Sequence, residues 1–202
     1  MSKPRLMIFC KAPIAGQVKT RLIPSMGEDA ACTLHQALAN KRIVDCLTTE
    51  VTSLADVELW CASELNHPFF EKFDVEKKLQ DGVDLGQRMA NAFQSGGKPG
   101  ILIGTDCPNL TVDYLCDAIK KLPEYEAIIG PAEDGGYGLI GMNKPDNSVF
   151  QGVEWGSSEV CAETCKVFNA SYDNWGLLPL LWDVDREEDV LRYHQLVASD
   201  NL

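Results

Sequence analysis

The sequence predicts an α/β protein built on one doubly wound, mixed but mostly parallel sheet with helices on both faces, with residues 1–202 forming a single domain. Three observations carry that prediction. Short apolar runs alternate with amphipathic stretches, the rhythm of strand and helix in turn. The runs are apolar throughout rather than at every second position, as strands covered on both faces are. The 202 residues, 45% hydrophobic and 24% charged, are enough for a sizeable core without staples. No repeat, low-complexity tract or linker divides the chain.

The first strand is read at Arg5–Cys10, followed after Gly27 by a helix with Leu34, Leu38 and Val44 on its apolar side. A second strand occupies 57–61. A helix then carries Leu85, Met89 and Phe93 at helical spacing, with Asp84 as its cap. The strand at 100–104 leads through a Thr111 cap into a helix presenting Leu115, Ile119 and Leu122. A strand at 127–130 follows. Tyr137–Met142 comes so soon after Gly135-Gly136 that it is expected to run antiparallel or irregularly. Cys161, Cys165 and Phe168 mark a helix opening at Ser157 or Ser158, and residues 178–184, interrupted by Pro179, are read at a sheet edge. The last helix, from 186 to about 199, is expected to bury Val190 and Val197 and to hold Glu187, Glu188 and Asp189 in its first turn, where the helix dipole favours acids.

A net charge of −12 argues against binding nucleic acid or an anionic membrane surface. The apolar stretch 6–10 is too short for a signal-peptide core, and no later run is long enough to span a bilayer, so the expectation is a cytoplasmic protein. Eight cysteines without a C-x-x-C pair read as reduced thiols. Cys161 and Cys165 lie four apart, but His35, His67 and His194 do not complete a metal-thiolate spacing.

Chemistry is expected beyond the carboxyl ends of the strands. After the first strand, Lys11, Lys19 and Arg21 fall within eleven residues of an otherwise acidic chain, suited to neutralising a diphosphate. Pro13 and Val18 stand where a P-loop needs glycine, and no G-x-G-x-x-G follows a strand. Asp106 ends the apolar strand at 100–104. A carboxylate there needs solvent, a donor or a cation, and Mg²⁺ shared with substrate phosphates would serve, as would a plain turn.

The runs 11–22, 80–89, 104–108 and 130–141, in that order, resemble the bacterial family of small GT-A-fold, glycosyltransferase-like proteins of the arsenosugar-biosynthesis type, within the nucleotide-diphospho-sugar transferase superfamily. The molybdenum-cofactor guanylyltransferases are similar more distantly. The resemblance implies that Lys11, Gly16, Lys19 and Arg21 hold the phosphates, and that the 81–88 loop closes over base and ribose, with Gly82 and Gly86 letting backbone approach the ligand. It implies that Asp106 binds Mg²⁺ or Mn²⁺ and that Asp134 orients an acceptor or takes its proton. Asp185 would be a second metal carboxylate. The residues alone also read Asp134-Gly135-Gly136 as a hairpin turn, and Asp185 with Glu188 as a capping box. The activity implied is metal-dependent transfer of a sugar from a nucleotide-diphospho-sugar donor to a small acceptor. Nucleotidyl transfer from an NTP, with release of pyrophosphate, and nucleotide binding without turnover are the alternatives.

Overall fold

The computed structural model describes residues 3–200. Strands β1 (Arg5–Cys10), β2 (Asp56–Cys61), β3 (Glu76–Leu79), β4 (Gly100–Ile103), β5 (Ala127–Pro131), β6 (Tyr137–Met142) and β7 (Trp175–Leu177) form one sheet in the order β3-β2-β1-β4-β6-β5-β7. Only β6 runs antiparallel to its neighbours. The order turns back between β1 and β4. Ile8 pairs with Ile103 there, so the loops leaving these two strands part and open a crevice at the carboxyl edge.

The helices are α1 (Ile23–Met26), α2 (Glu28–Cys46), α3 (Thr49–Leu54), α4 (Pro68–Glu71), α5 (Leu85–Gln94), α6 (Val112–Lys121), α7 (Val160–Ser171) and α8 (Glu187–Asp200). Alternate residues of β1 feed two cores. Leu6, Ile8 and Cys10 face α2, α3 and α6 through residues such as Ile43, Val51 and Leu115, while Met7 and Phe9 join Met89 and Phe93 of α5 and Phe168 of α7. A third, smaller cluster sets Leu22, Leu34 and Leu38 against Trp182, Val184 and Val190. It brings the late 182–190 segment to the loop that follows β1.

Several sequence expectations shift. Asp84 and Thr111 cap α5 and α6 by accepting from Gln87 N and Tyr114 N, but α7 begins after Glu159 without a side-chain cap, so neither Ser157 nor Ser158 serves. Val44 and Val197 are 49% and 37% exposed, and Ile43 takes the inward place on α2. The edge strand lies at Trp175–Leu177 rather than 178–184. Beyond it Leu178 N still donates to Ile129 O, the ladder stops at Pro179, which has no N–H, and Leu181 then bridges to Ala132. At the other edge, Glu76–Leu79 has no counterpart among the expected strands: its lysines and glutamate suit an uncovered edge and carry no apolar run.

Candidate functional site

The loop leaving β1 is held by its own charges. Gly16 turns it at φ +79°, and Lys19 adopts φ +47°, a left-handed conformation that costs a non-glycine residue about 1–2 kcal/mol. What offsets that cost is the lysine's anchorage. Its Nζ donates to Val184 O at 2.6 Å and meets Asp106 Oδ2 at 2.9 Å, with only 3% of the side chain exposed. Arg21 pairs with Asp185 through Nη1 and Oδ2. Val184 N also donates to Asp106 O at 3.0 Å, so loop 11–22, the turn after β4 and the 182–185 segment are laced together. From α2, Arg42 donates to the carbonyls of Cys107 and Leu110 and braces the same turn.

Asp106 is the hub. Burial alone would raise its pKa, but the Lys19 ammonium, His35 and the Thr105 hydroxyl hold it below the usual carboxylate value. Its side chain nevertheless stays 42% exposed. His35 approaches with Nδ1 4.0 Å from Asp106 Oδ1, and burial lowers its pKa against the opposing pull of the Lys11 carbonyl and Asp106.

Two cavities meet at this carboxylate. The first, about 550 Å³, is cationic, with Lys11, Lys19, Arg21 and Arg88 around Gln80, Asp106 and Asp185. The second, about 320 Å³, sets Met89, Leu102, Tyr137 and Trp155 beside Asp134 and Asp183. Phe9, Leu85, Gly104 and Asp106 line both. Leu85, expected in the core, is 47% exposed and forms part of this shared wall.

Of the residues to which the sequence points, Lys11, Lys19, Arg21, Asp106 and Asp185 share the cationic cavity, and Asp134 lies in the neighbouring one. Gly16 shapes the loop but lines neither. Gly82 and Gly86 are filled by the protein itself: a Cβ on Gly82 would stand 2.7 Å from Arg88 N, and one on Gly86 2.6 Å from the Trp155 indole. Asp134 makes the hairpin turn, accepting from Gly136 N at 2.9 Å, while Gly135, at φ +89°, packs on Ser158. The capping box at Asp185 does not form. Asp189 reaches back instead, accepting from the N–H groups of Asp185 and Arg186.

Sequence reasoning misses four residues here. Arg88 lies inside the 80–89 run without a role of its own, and Trp155 gives no signal beyond being aromatic. His35 stands out only as a histidine outside any metal-thiolate spacing. Asp183 is raised to about 6 by burial and by repulsion from Asp134 and Asp185, a crowding of carboxylates visible only once the fold assembles them. Among the described residues no three His, Cys, Asp or Glu side chains converge as a cation cage. Asp106, a half-exposed carboxylate facing a basic cleft, fits a divalent ion that arrives with phosphate oxygens.

The fold is that of the nucleotide-diphospho-sugar transferase class. Residues 46–157 match the family model DUF2064, described as "uncharacterized protein conserved in bacteria", and the chain belongs to that family. Among solved structures it is similar to a Desulfovibrio desulfuricans G20 protein provisionally described as a nucleotide-diphospho-sugar transferase, with 31% identity, TM-score 0.83, and coverage of 94% of this chain and 85% of that one. The fold is shared with a CMP:2-keto-3-deoxy-manno-octonic acid synthetase complexed with CTP, at 10% identity, TM-score 0.63, and 98% and 100% coverage. It is shared also with a Mycobacterium tuberculosis H37Rv protein determined with manganese, at 13% identity, TM-score 0.52, and 95% and 98% coverage. No protein with a curated description matches the chain.

Proposed function

We propose that this protein is a glycosyltransferase that moves a sugar from a nucleotide-diphospho-sugar to a small acceptor. One observation carries the reading: Asp106 is the common wall of a cationic cavity and an adjoining apolar, acid-rimmed one. A diphosphate fits the first by charge. The sugar and acceptor fit the second, where Tyr137 and Trp155 offer apolar faces and Asp134 and Asp183 offer hydrogen-bond acceptors.

In the reaction the bond between the sugar's anomeric carbon and the diphosphate oxygen breaks, and a bond from that carbon to the acceptor forms. Negative charge grows on the departing nucleoside diphosphate, where Lys11, Arg21 and Arg88 line the cleft. Lys19 acts at one remove: its ammonium is engaged by Val184 O and Asp106, so it fixes the carboxylate rather than reaching for phosphate. Asp134 accepts the acceptor's proton, the turn hydrogen bond on Oδ1 leaving Oδ2 for that purpose. A divalent Mg²⁺ or Mn²⁺ held by Asp106 would supply Lewis-acid stabilisation of the diphosphate. Asp185 stands on the same cavity but is engaged by Arg21, which makes it the lesser ligand. The eight unpaired thiols suit a reducing, cytoplasmic setting. No helix among the described residues is long and apolar enough to cross a membrane.

The test is a thermal-shift screen of nucleoside diphosphates, triphosphates and sugar nucleotides with and without Mg²⁺ or Mn²⁺, followed by product analysis. Metal-dependent stabilisation by sugar nucleotides, with nucleoside diphosphate released on turnover, is expected. Pyrophosphate released from an NTP would replace this reading with nucleotidyl transfer.

A further inference from the structure

Helix α2 carries a histidine to which the reaction above gives no task. His35 is 4% exposed, yet it sits on the wall of the cationic cavity. Its Nε2 lies 3.0 Å from the main-chain carbonyl of Lys11. A carbonyl only accepts, so Nε2 carries the proton and Nδ1 of the neutral ring is left with a lone pair. His35 Nδ1 lies 4.0 Å from Asp106 Oδ1, too far for a direct hydrogen bond. Two electron-pair donors, one on α2 and one on the turn after β4, are therefore set 4.0 Å apart on the wall of one cavity.

That separation has the size of a coordinated ion. Imidazole nitrogen and carboxylate oxygen bind small divalent cations at about 2.0–2.2 Å each, so two ligands placed across an ion stand roughly 4.0–4.4 Å apart. The surroundings agree. A metal-bound histidine characteristically donates its other ring N–H to a carbonyl or carboxylate, which fixes the tautomer, and the Lys11 carbonyl does this for His35. Asp106 is steadied in the same manner, its Oδ2 by Lys19 at 2.9 Å and its Oδ1 by the Thr105 hydroxyl at 3.3 Å.

We infer that His35 Nδ1 and Asp106 Oδ1 together ligate a divalent first-row transition ion at the floor of the cleft, leaving its other positions to diphosphate oxygens and water. For those other ligands the inference rests on the diphosphate site proposed above. Its consequence is selectivity. Mg²⁺ takes oxygen ligands, whereas imidazole suits Zn²⁺, Fe²⁺ and Ni²⁺, so a nitrogen ligand biases the site away from Mg²⁺.

Mn²⁺ with inorganic pyrophosphate is the probe, and pulsed EPR of the full chain is the readout. Nitrogen-14 modulation of the Mn²⁺ signal is expected, converting to a nitrogen-15 pattern when histidine is labelled. It should vanish in His35→Gln, whose amide still donates to the Lys11 carbonyl. It should also survive replacement of the other two histidines, His67→Gln with His194→Gln, a variant that keeps the test open if His35→Gln does not fold. Zn²⁺ should displace Mn²⁺ at concentrations at least tenfold below those needed with Mg²⁺. Mn²⁺ bound with pyrophosphate but without nitrogen modulation would overturn the His35 assignment and leave the diphosphate reading standing. Modulation that depends on His35 in a protein that does not bind pyrophosphate would support the assignment and sink the diphosphate reading instead.

Discussion

A buried cation meets a carboxylate at each end of the sheet, and the two pairs are built to opposite effect. At the amino end Arg5 grips Glu58 with both arms, Nε to Oε1 at 2.9 Å and Nη2 to Oε2 at 2.7 Å. Lys78 and the Trp60 indole donate to the same carboxylate, and the Arg5 guanidinium also reaches Ala92 O. Both side chains are 7% exposed or less. At the carboxyl end Lys19 is equally buried but Asp106 is not, at 3% and 42%. One carboxylate is closed by donors on every side; the other is pinned on one side and open to the cleft on the other. A hollow of about 600 Å³ beside Arg5 and Glu58 exceeds either cavity at the carboxyl end, so size alone would choose the amino end of the sheet. An available carboxylate beside unburied cations, rather than volume, marks the candidate site.

The comparison breaks most directly at Glu58. Glu58→Ala leaves Arg5 buried without its counter-ion, and a loss of about 3–5 kcal/mol is expected in urea unfolding, with nucleotide binding retained. A loss below about 1 kcal/mol would show that the pair is not closed. The pH dependence gives a second handle on the same group. Burial pushes the Glu58 pKa up, but Arg5, Lys78 and Trp60 outweigh it and bring it to about 2, below its value in the unfolded chain. A depressed acid contributes its stability in full above about pH 4.5 and loses it as pH falls toward 2. Acid titration of stability across that window should therefore be steep in the native protein and flatter in Glu58→Ala.

Asp106→Asn sharpens the other side. The residue types alone suggest a variant of unchanged stability, but the structure places the buried Lys19 ammonium on this carboxylate. Asn keeps an oxygen for Lys19 and loses the charge, so a fall of about 1–3 kcal/mol is expected, smaller than at Glu58. Metal-dependent nucleotide binding should disappear. Binding at native affinity, measured by calorimetry with Mn²⁺, would remove Asp106 from the site.

The same contrast explains how much the sequence discloses. Strands β1, β4 and β5 are legible because burial on both faces requires unbroken apolar runs. Strand β3 is not, since an edge strand made of Glu76, Lys77 and Lys78 looks like a solvated turn. Lys11, Lys19, Arg21 and Asp106 stand out because charge at the end of an apolar strand conflicts with its surroundings. The division of labour among them is hidden. Lys19 and Arg21 are near neighbours in the chain, yet one is buried against Val184 and the other is 64% exposed, a difference set by a partner segment more than 160 residues away. The contact at Gly86 is hidden for a similar reason, because the indole that occupies its Cβ position belongs to Trp155, far along the chain.

Arg21 gives the smallest expected change in stability and the finest test. Its pair with Asp185 lies at the surface, 64% and 28% exposed, where solvent and salt screen the attraction, so Arg21→Ala should alter unfolding by no more than about 1 kcal/mol. Binding should respond differently. The guanidinium borders the cationic cavity, and a charge-assisted contact to phosphate is worth enough that its removal weakens nucleoside diphosphate binding by about tenfold or more. Salt separates the two effects: a lost phosphate contact reduces the dependence of affinity on ionic strength, whereas a lost structural brace leaves that dependence in place. Titrations at low and high salt on native protein and Arg21→Ala therefore assign the residue. Equal affinity in both proteins would place Arg21 with the closed, structural charges at the other end of the sheet.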